Sequence, residues 1–180
     1  MVMNNVILYV EVDDQRWKES LPNVEVLCNE ILQEVFAVIK KQIKNKVIKQ
    51  ASSLSINLML SNDRTIHKLN LDFRGKNMPT NVLSFANIDS PDFEFDSENG
   101  ETVELGDVII ALETLQHEAE IKNISLKNHF SHLWLHGILH LLGYDHIDDE
   151  EAEEMENLEI LLLQNLGINN PYVDMDNAQD

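Results

Sequence analysis

With a single cysteine, Cys28, among its 180 residues, the chain can form no internal disulfide, which excludes a disulfide-stapled scaffold and fits a reducing compartment. Cys28 sits in an apolar helical stretch and is read as core packing. No apolar run reaches the roughly 20 residues of a membrane-spanning helix. Residues 1–9 lack the basic start and long apolar stretch of a secretory signal. A cytoplasmic location without a membrane partner is expected. Internal repeats and low-complexity tracts are missing as well. What is present, 43% hydrophobic and 25% charged residues, suits one globular domain with a substantial core.

Positive charge is scarce and unevenly spread. A net charge of −19 would argue against nucleic acid, yet residues 1–76 carry 11 Lys and Arg against 9 Asp and Glu, whereas residues 77–180 carry 2 against 23. A phosphate backbone therefore has only the N-terminal part to dock on, through Lys40, Lys41, Lys44, Lys46 and Lys49 or through Arg64, Lys68, Arg74 and Lys76. Lysines near a helix C-terminus are also favoured by the macrodipole, so the cluster at 40–49 is read as a solvated helix end before an RNA contact.

Apolar periodicity predicts strands at residues 6–12, 54–60, 82–86 and 105–112. It predicts helices from 24 to about 46, after the Ser61-Asn62-Asp63 cap, from 113 to about 121, over 125–142, and from about 149 to 166, closed by Gly167. The acidic segment 89–104, with its Pro and Gly, reads as a loop. The expected fold is α+β: one domain over residues 1–170, a mixed sheet of about four strands covered by about five helices, and an unstructured tail over 171–180.

The helix at 125–142 is apolar on nearly every side and should be central and buried. One stripe of it differs: His129, His132, His136 and His140 recur at spacings of three and four. His136 and His140 can reach one ion from the same side of the helix. Gly143 can take positive φ, end the helix and let the chain bring His146 back from another direction. Three imidazoles favour one zinc ion per chain, or another divalent transition metal, with a fourth position left for water. A metal site at the end of the central helix, on His136, His140 and His146, makes the domain a metal-dependent hydrolase. His132 and Asp145 are candidates to hydrogen-bond the ligating rings from behind, while His129 reads as an ordinary, partly exposed residue. Asp145 could equally cap the acidic helix that follows.

The stretch from His136 to His146, H-G-I-L-H-L-L-G-Y-D-H, resembles the signature of the YbeY family of bacterial endoribonucleases. Ser61-Asn62-Asp63, Leu69-Asn70, Arg74-Gly75-Lys76, Pro79-Thr80-Asn81-Val82-Leu83-Ser84-Phe85 and Leu105-Gly106-Asp107 are similar to that family too, so the resemblance covers roughly residues 55–167. Asn81 stands where the family often has Asp, and the first fifty residues match weakly. The resemblance implies zinc on His136, His140 and His146, a functional role for Arg74, single-stranded RNA as substrate, and work in ribosomal RNA maturation, including 16S processing on the small ribosomal subunit.

The chemistry agrees with that implication. Three neutral histidines lower the pKa of a zinc-bound water to about 7. Gly137 occupies the position where H-E-x-x-H peptidases carry their glutamate. A phosphodiester transition state needs charge on its non-bridging oxygens neutralised, which a guanidinium such as Arg74 can do at two oxygens at once. The residues leave open whether water or a ribose 2′-OH attacks. Two rivals stand beside this reading: a zincin-like metallopeptidase with Glu118 or Asp145 as its base, and a non-catalytic ribosome-associated factor that carries metal for stability.

Overall fold

The computed structural model describes residues 5–90, 93 and 102–173. In chain order the elements are β1 (Asn5–Val12), α1 (Arg16–Ser20), α2 (Val24–Ile39), α3 (Lys46–Gln50), β2 (Ser53–Ser61), α4 (Asp63–Arg74), β3 (Val82–Ala86), β4 (Thr102–Ala111), α5 (Leu112–Ile121), α6 (Leu126–Leu141) and α7 (Asp149–Asn165). A 3-10 turn follows β3 at Asn87–Asp89. The sheet has order β1-β2-β4-β3, parallel except for β3, which pairs antiparallel with β4. The α+β class and four-stranded mixed sheet are as expected. The helices among the described residues number seven rather than about five.

Two short helices account for the difference. α1 forms around Trp17, which is fully buried, donates its indole N–H to Ser61 O at 2.7 Å and meets the Phe130 ring edge-on. The long helix expected to about residue 46 ends at Ile39, because Asn45 caps a fresh turn by accepting from the N–H groups of Val47 and Ile48. Lys44, in the break, pairs with Glu154 of α7 at 2.6 Å.

Alternation along β2 sends Leu54, Ile56, Leu58 and Leu60 into the main core against α2, α6 and α7, each burial contributing about 1.5–3 kcal/mol. The opposite face is covered by α4, where Ile66 meets Leu83, Ile109 and Ala111. β4 starts at Thr102, earlier than residue 105, and carries a bulge: Ser55 pairs with Glu104 but Ile56 pairs with Gly106. The extra residue lets both Leu105 and Val108 face the main core, three positions apart, which no period-two pattern shows. Gly106 takes φ +134°, and a Cβ there would lie 2.0 Å from Phe85 O.

Most of the expected loop at 89–104 lies outside the described residues. Of the tail expected from residue 171, Pro171, Tyr172 and Val173 form a turn, and 174–180 lie outside the described residues.

Candidate metal centre

α6 is the centre of the molecule, packed on α2, α5, α7, β3 and β4, and it begins where Ser125 Oγ accepts from Asn128 N–H at 3.1 Å. It crosses the sheet closely at Gly137, where a Cβ would stand 2.7 Å from Val108 Cγ1. The helix stops in a Schellman motif: Gly143 N–H donates to His140 O, Tyr144 N–H donates to Leu139 O, and Gly143 takes φ +88°. That reversal carries His146 back beside the helix.

One ring nitrogen from each of His136, His140 and His146 lies within 4.8 Å of the others, and among the described residues no further His, Cys, Asp or Glu joins them. The Nε2 atoms of His136 and His140 are 3.0 Å apart. Tetrahedral N–Zn bonds of about 2.0–2.1 Å place two ligating nitrogens roughly 3.4 Å apart, so the trio spans what one ion needs. Burial, then the neighbouring His136 and His146, push the His140 imidazole down to about 4, so that ring is neutral, as a ligand must be, near pH 7. The donor set therefore fits a divalent transition metal.

Behind His136 stands Glu159 of α7, fully buried. Its Oε1 accepts from His136 Nδ1–H at 2.7 Å, and its Oε2 accepts from His132 Nε2–H at 3.1 Å and from the Tyr172 hydroxyl. Burial raises the carboxyl, but the hydrogen bonds from His132 and His136 outweigh it and hold the group at about 2. Glu159 was not foreseen, although Met155, Glu159, Leu162 and Leu166 fall at helical spacing, so a carboxylate interrupts the buried stripe of α7.

The other expected residues sort as follows. His132 bonds the same carboxylate as His136, on the α6 stripe behind the triad. Asp145 stands 4.0 Å from His140 Nδ1 and 3.9 Å from His146 Nδ1, too far for a hydrogen bond, and instead accepts from its neighbour's backbone, His146 N–H, at 2.8 Å. The cap of α7 is Asp148, not Asp145. His129 is buried, not partly exposed, with Nε2 2.7 Å from Glu118. Glu118 also accepts from the Asn81 amide, at 2.9 and 3.1 Å, so it is occupied in holding the strand before the cleft.

A cleft of about 530 Å³ opens over the triad, walled by residues 79–84 and by Arg74 and Lys76. Arg74 ends α4, where Gly75 turns the chain at φ +67°. Its Nη2 donates to Ser84 O at 3.1 Å and its guanidinium lies 5.8 Å from the Phe85 ring centre. Arg74 and Lys76 are the cations of this lining, and none of the lysines at 40–49 takes part in it.

Fold and site thus define an α+β protein in which a three-histidine cluster that could hold a metal ion shares a cleft with an arginine. It belongs to the YbeY endoribonuclease family, whose model, described as Endoribonuclease YbeY, matches residues 11–167. Among curated relatives of that name, the protein of Paramagnetospirillum magneticum is 43% identical over 163 residues, 91% of this chain and 93% of its own length. That of Francisella philomiragia is 39% identical over 180 residues, covering 97% of this chain and 100% of its own. That of Sphingopyxis alaskensis is 47% identical over 128 residues, covering 70% and 76%. A solution structure from Thermotoga maritima covers 97% of this chain and 99% of its own at 22% identity and a TM-score of 0.47, a distant likeness.

Proposed function

We propose that the chain is a zinc-dependent endoribonuclease that cuts single-stranded RNA during ribosomal RNA maturation, acting in the cytoplasm on the small ribosomal subunit. The observation that carries this reading is the shared cleft, which brings His136, His140 and His146 together with Arg74. A zinc ion held by His136, His140 and His146 would supply positive charge against the phosphodiester and would lower the pKa of water in the cleft. Ser84 O and the Phe85 ring hold the Arg74 guanidinium, leaving its remaining N–H groups for two non-bridging phosphate oxygens at once. Lys76 adds charge for the flanking backbone. The 1–170 span is the working hydrolase domain.

The metallopeptidase reading is disfavoured on two grounds. Val108 leaves no room at Gly137 for a glutamate, and Glu118 is held by Asn81 and His129 rather than lining the cleft. No helix among the described residues is long and apolar enough to cross a membrane.

The test is cleavage of labelled single-stranded RNA and of small-subunit precursor rRNA by the metal-loaded protein, by Arg74→Ala and by His136→Ala. Cutting by the wild type and its loss in both variants supports the proposal. Equal cutting by all three, or none by the wild type, overturns it.

A further inference from the structure

We infer that Glu159, steadied by Tyr172 and His132, is a positioning residue that fixes His136 in the tautomer able to ligate the ion, and so sets the affinity of the site. This rests on reading the triad as a metal centre. An ionised carboxylate only accepts hydrogen bonds, so the 2.7 Å contact between Glu159 Oε1 and His136 Nδ1 requires the imidazole proton on Nδ1. His136 Nε2 is then bare, and that is the atom 3.0 Å from His140 Nε2, within the ligand trio. Without an acceptor behind it, an imidazole divides its proton between both nitrogens, and the fraction protonated at Nε2 cannot bind metal.

The other carboxylate oxygen explains why Glu159 stays put. A fully buried carboxylate is tolerated only when donors serve both oxygens, and Oε2 receives two, from His132 Nε2–H and from the Tyr172 hydroxyl. Tyr172 reaches it from beyond α7. Gly167 reverses the chain at φ +74°, and Asn170 Oδ1 accepts from Tyr172 N–H at 2.8 Å to form the turn that aims the ring inward. The ring then meets His132 edge-on at 5.6 Å. Residue 172 lies past 167, where the match to the family model ends.

Two measurements test the clamp. Nitrogen-detected histidine NMR of the metal-free wild type should show His136 protonated at Nδ1. Titration with Zn²⁺ should give Glu159→Leu a dissociation constant about 10–100-fold above wild type. Glu159→Gln, whose amide oxygen can still accept from Nδ1, should recover most of that loss, and Tyr172→Phe should show a smaller loss in the same direction. Thermal unfolding of the metal-free variants separates this from mere packing, which would lower stability and leave affinity unchanged among folded variants. His136 protonated at Nε2, or a folded Glu159→Leu that binds Zn²⁺ like wild type, overturns the inference. Should Glu159→Leu fail to fold, the tautomer and Tyr172→Phe still decide. A wild type that binds no Zn²⁺ overturns the metal-centre reading itself, a result the tautomer measurement does not share.

Discussion

Arg74→Ala is the sharpest probe of how the cleft works. The side chain is solvent-exposed, and among the described residues its ties to the protein are one hydrogen bond to Ser84 O at 3.1 Å and a contact with the Phe85 ring. Water can replace both, so the truncation should cost less than about 0.5 kcal/mol of folding stability. Catalysis is another matter. Two charge-assisted hydrogen bonds to phosphate oxygens contribute about 1.5–3 kcal/mol each when buried, and the open cleft argues for the lower end. A loss of about 3–4 kcal/mol in transition-state stabilisation corresponds to about 10²–10³ in kcat/KM. Arg74→Lys retains a point charge without the fork and should fall between, about 10–100-fold down. The assay is kcat/KM on a short single-stranded RNA, with Zn²⁺ affinity and urea stability measured alongside. Retention of more than a fifth of wild-type kcat/KM in Arg74→Ala, or a parallel loss of Zn²⁺ affinity, refutes the assigned role.

Other expectations follow from particular contacts. Gly106→Ala places a Cβ 2.0 Å from Phe85 O at φ +134°. With a backbone carbonyl unable to yield, it should cost about 3 kcal/mol or more in urea unfolding, and a loss under about 1 kcal/mol contradicts the bulge geometry. Saturating the triad with Zn²⁺ at about 100 times its dissociation constant should raise stability by about 2.7 kcal/mol. His146→Ala should lose most of that gain, and an equal gain in the variant removes His146 from the ligand set. Burial lowers the His129 imidazole below its usual 6.5, against the opposing hydrogen bond that its Nε2–H donates to Glu118. The unfolded chain therefore takes the proton first, so the neutral ring's contribution is complete above about pH 6.5 and declines as pH falls below it. Stability curves from pH 7 to 5 should be flatter for His129→Gln than for the wild type, and identical slopes exclude the residue as a source of acid sensitivity.

Elements with a strong local period were readable in the residues: the strand at Val82–Ala86 and the central helix match expectation closely, because each buries one regular set of side chains. Where a long-range contact sets the boundary, local reading went astray. α1 depends on Trp17 reaching Ser61, and the start of β4 was hidden by a bulge that only its pairing with β2 reveals. His129 looked unremarkable because Glu118, its partner, comes from another helix.

The chain order by itself determined the outline of the candidate metal centre, since His136, His140, Gly143 and His146 lie on one helix and its reversal, where spacing and a positive-φ glycine govern direction. It did not determine what surrounds that centre. Arg74 reaches the cleft because α4 packs on β3 and β4, and Glu159 reaches His136 because α7 packs on α6. A buried carboxylate declares its purpose only through the donors facing it, and those donors are supplied by tertiary packing.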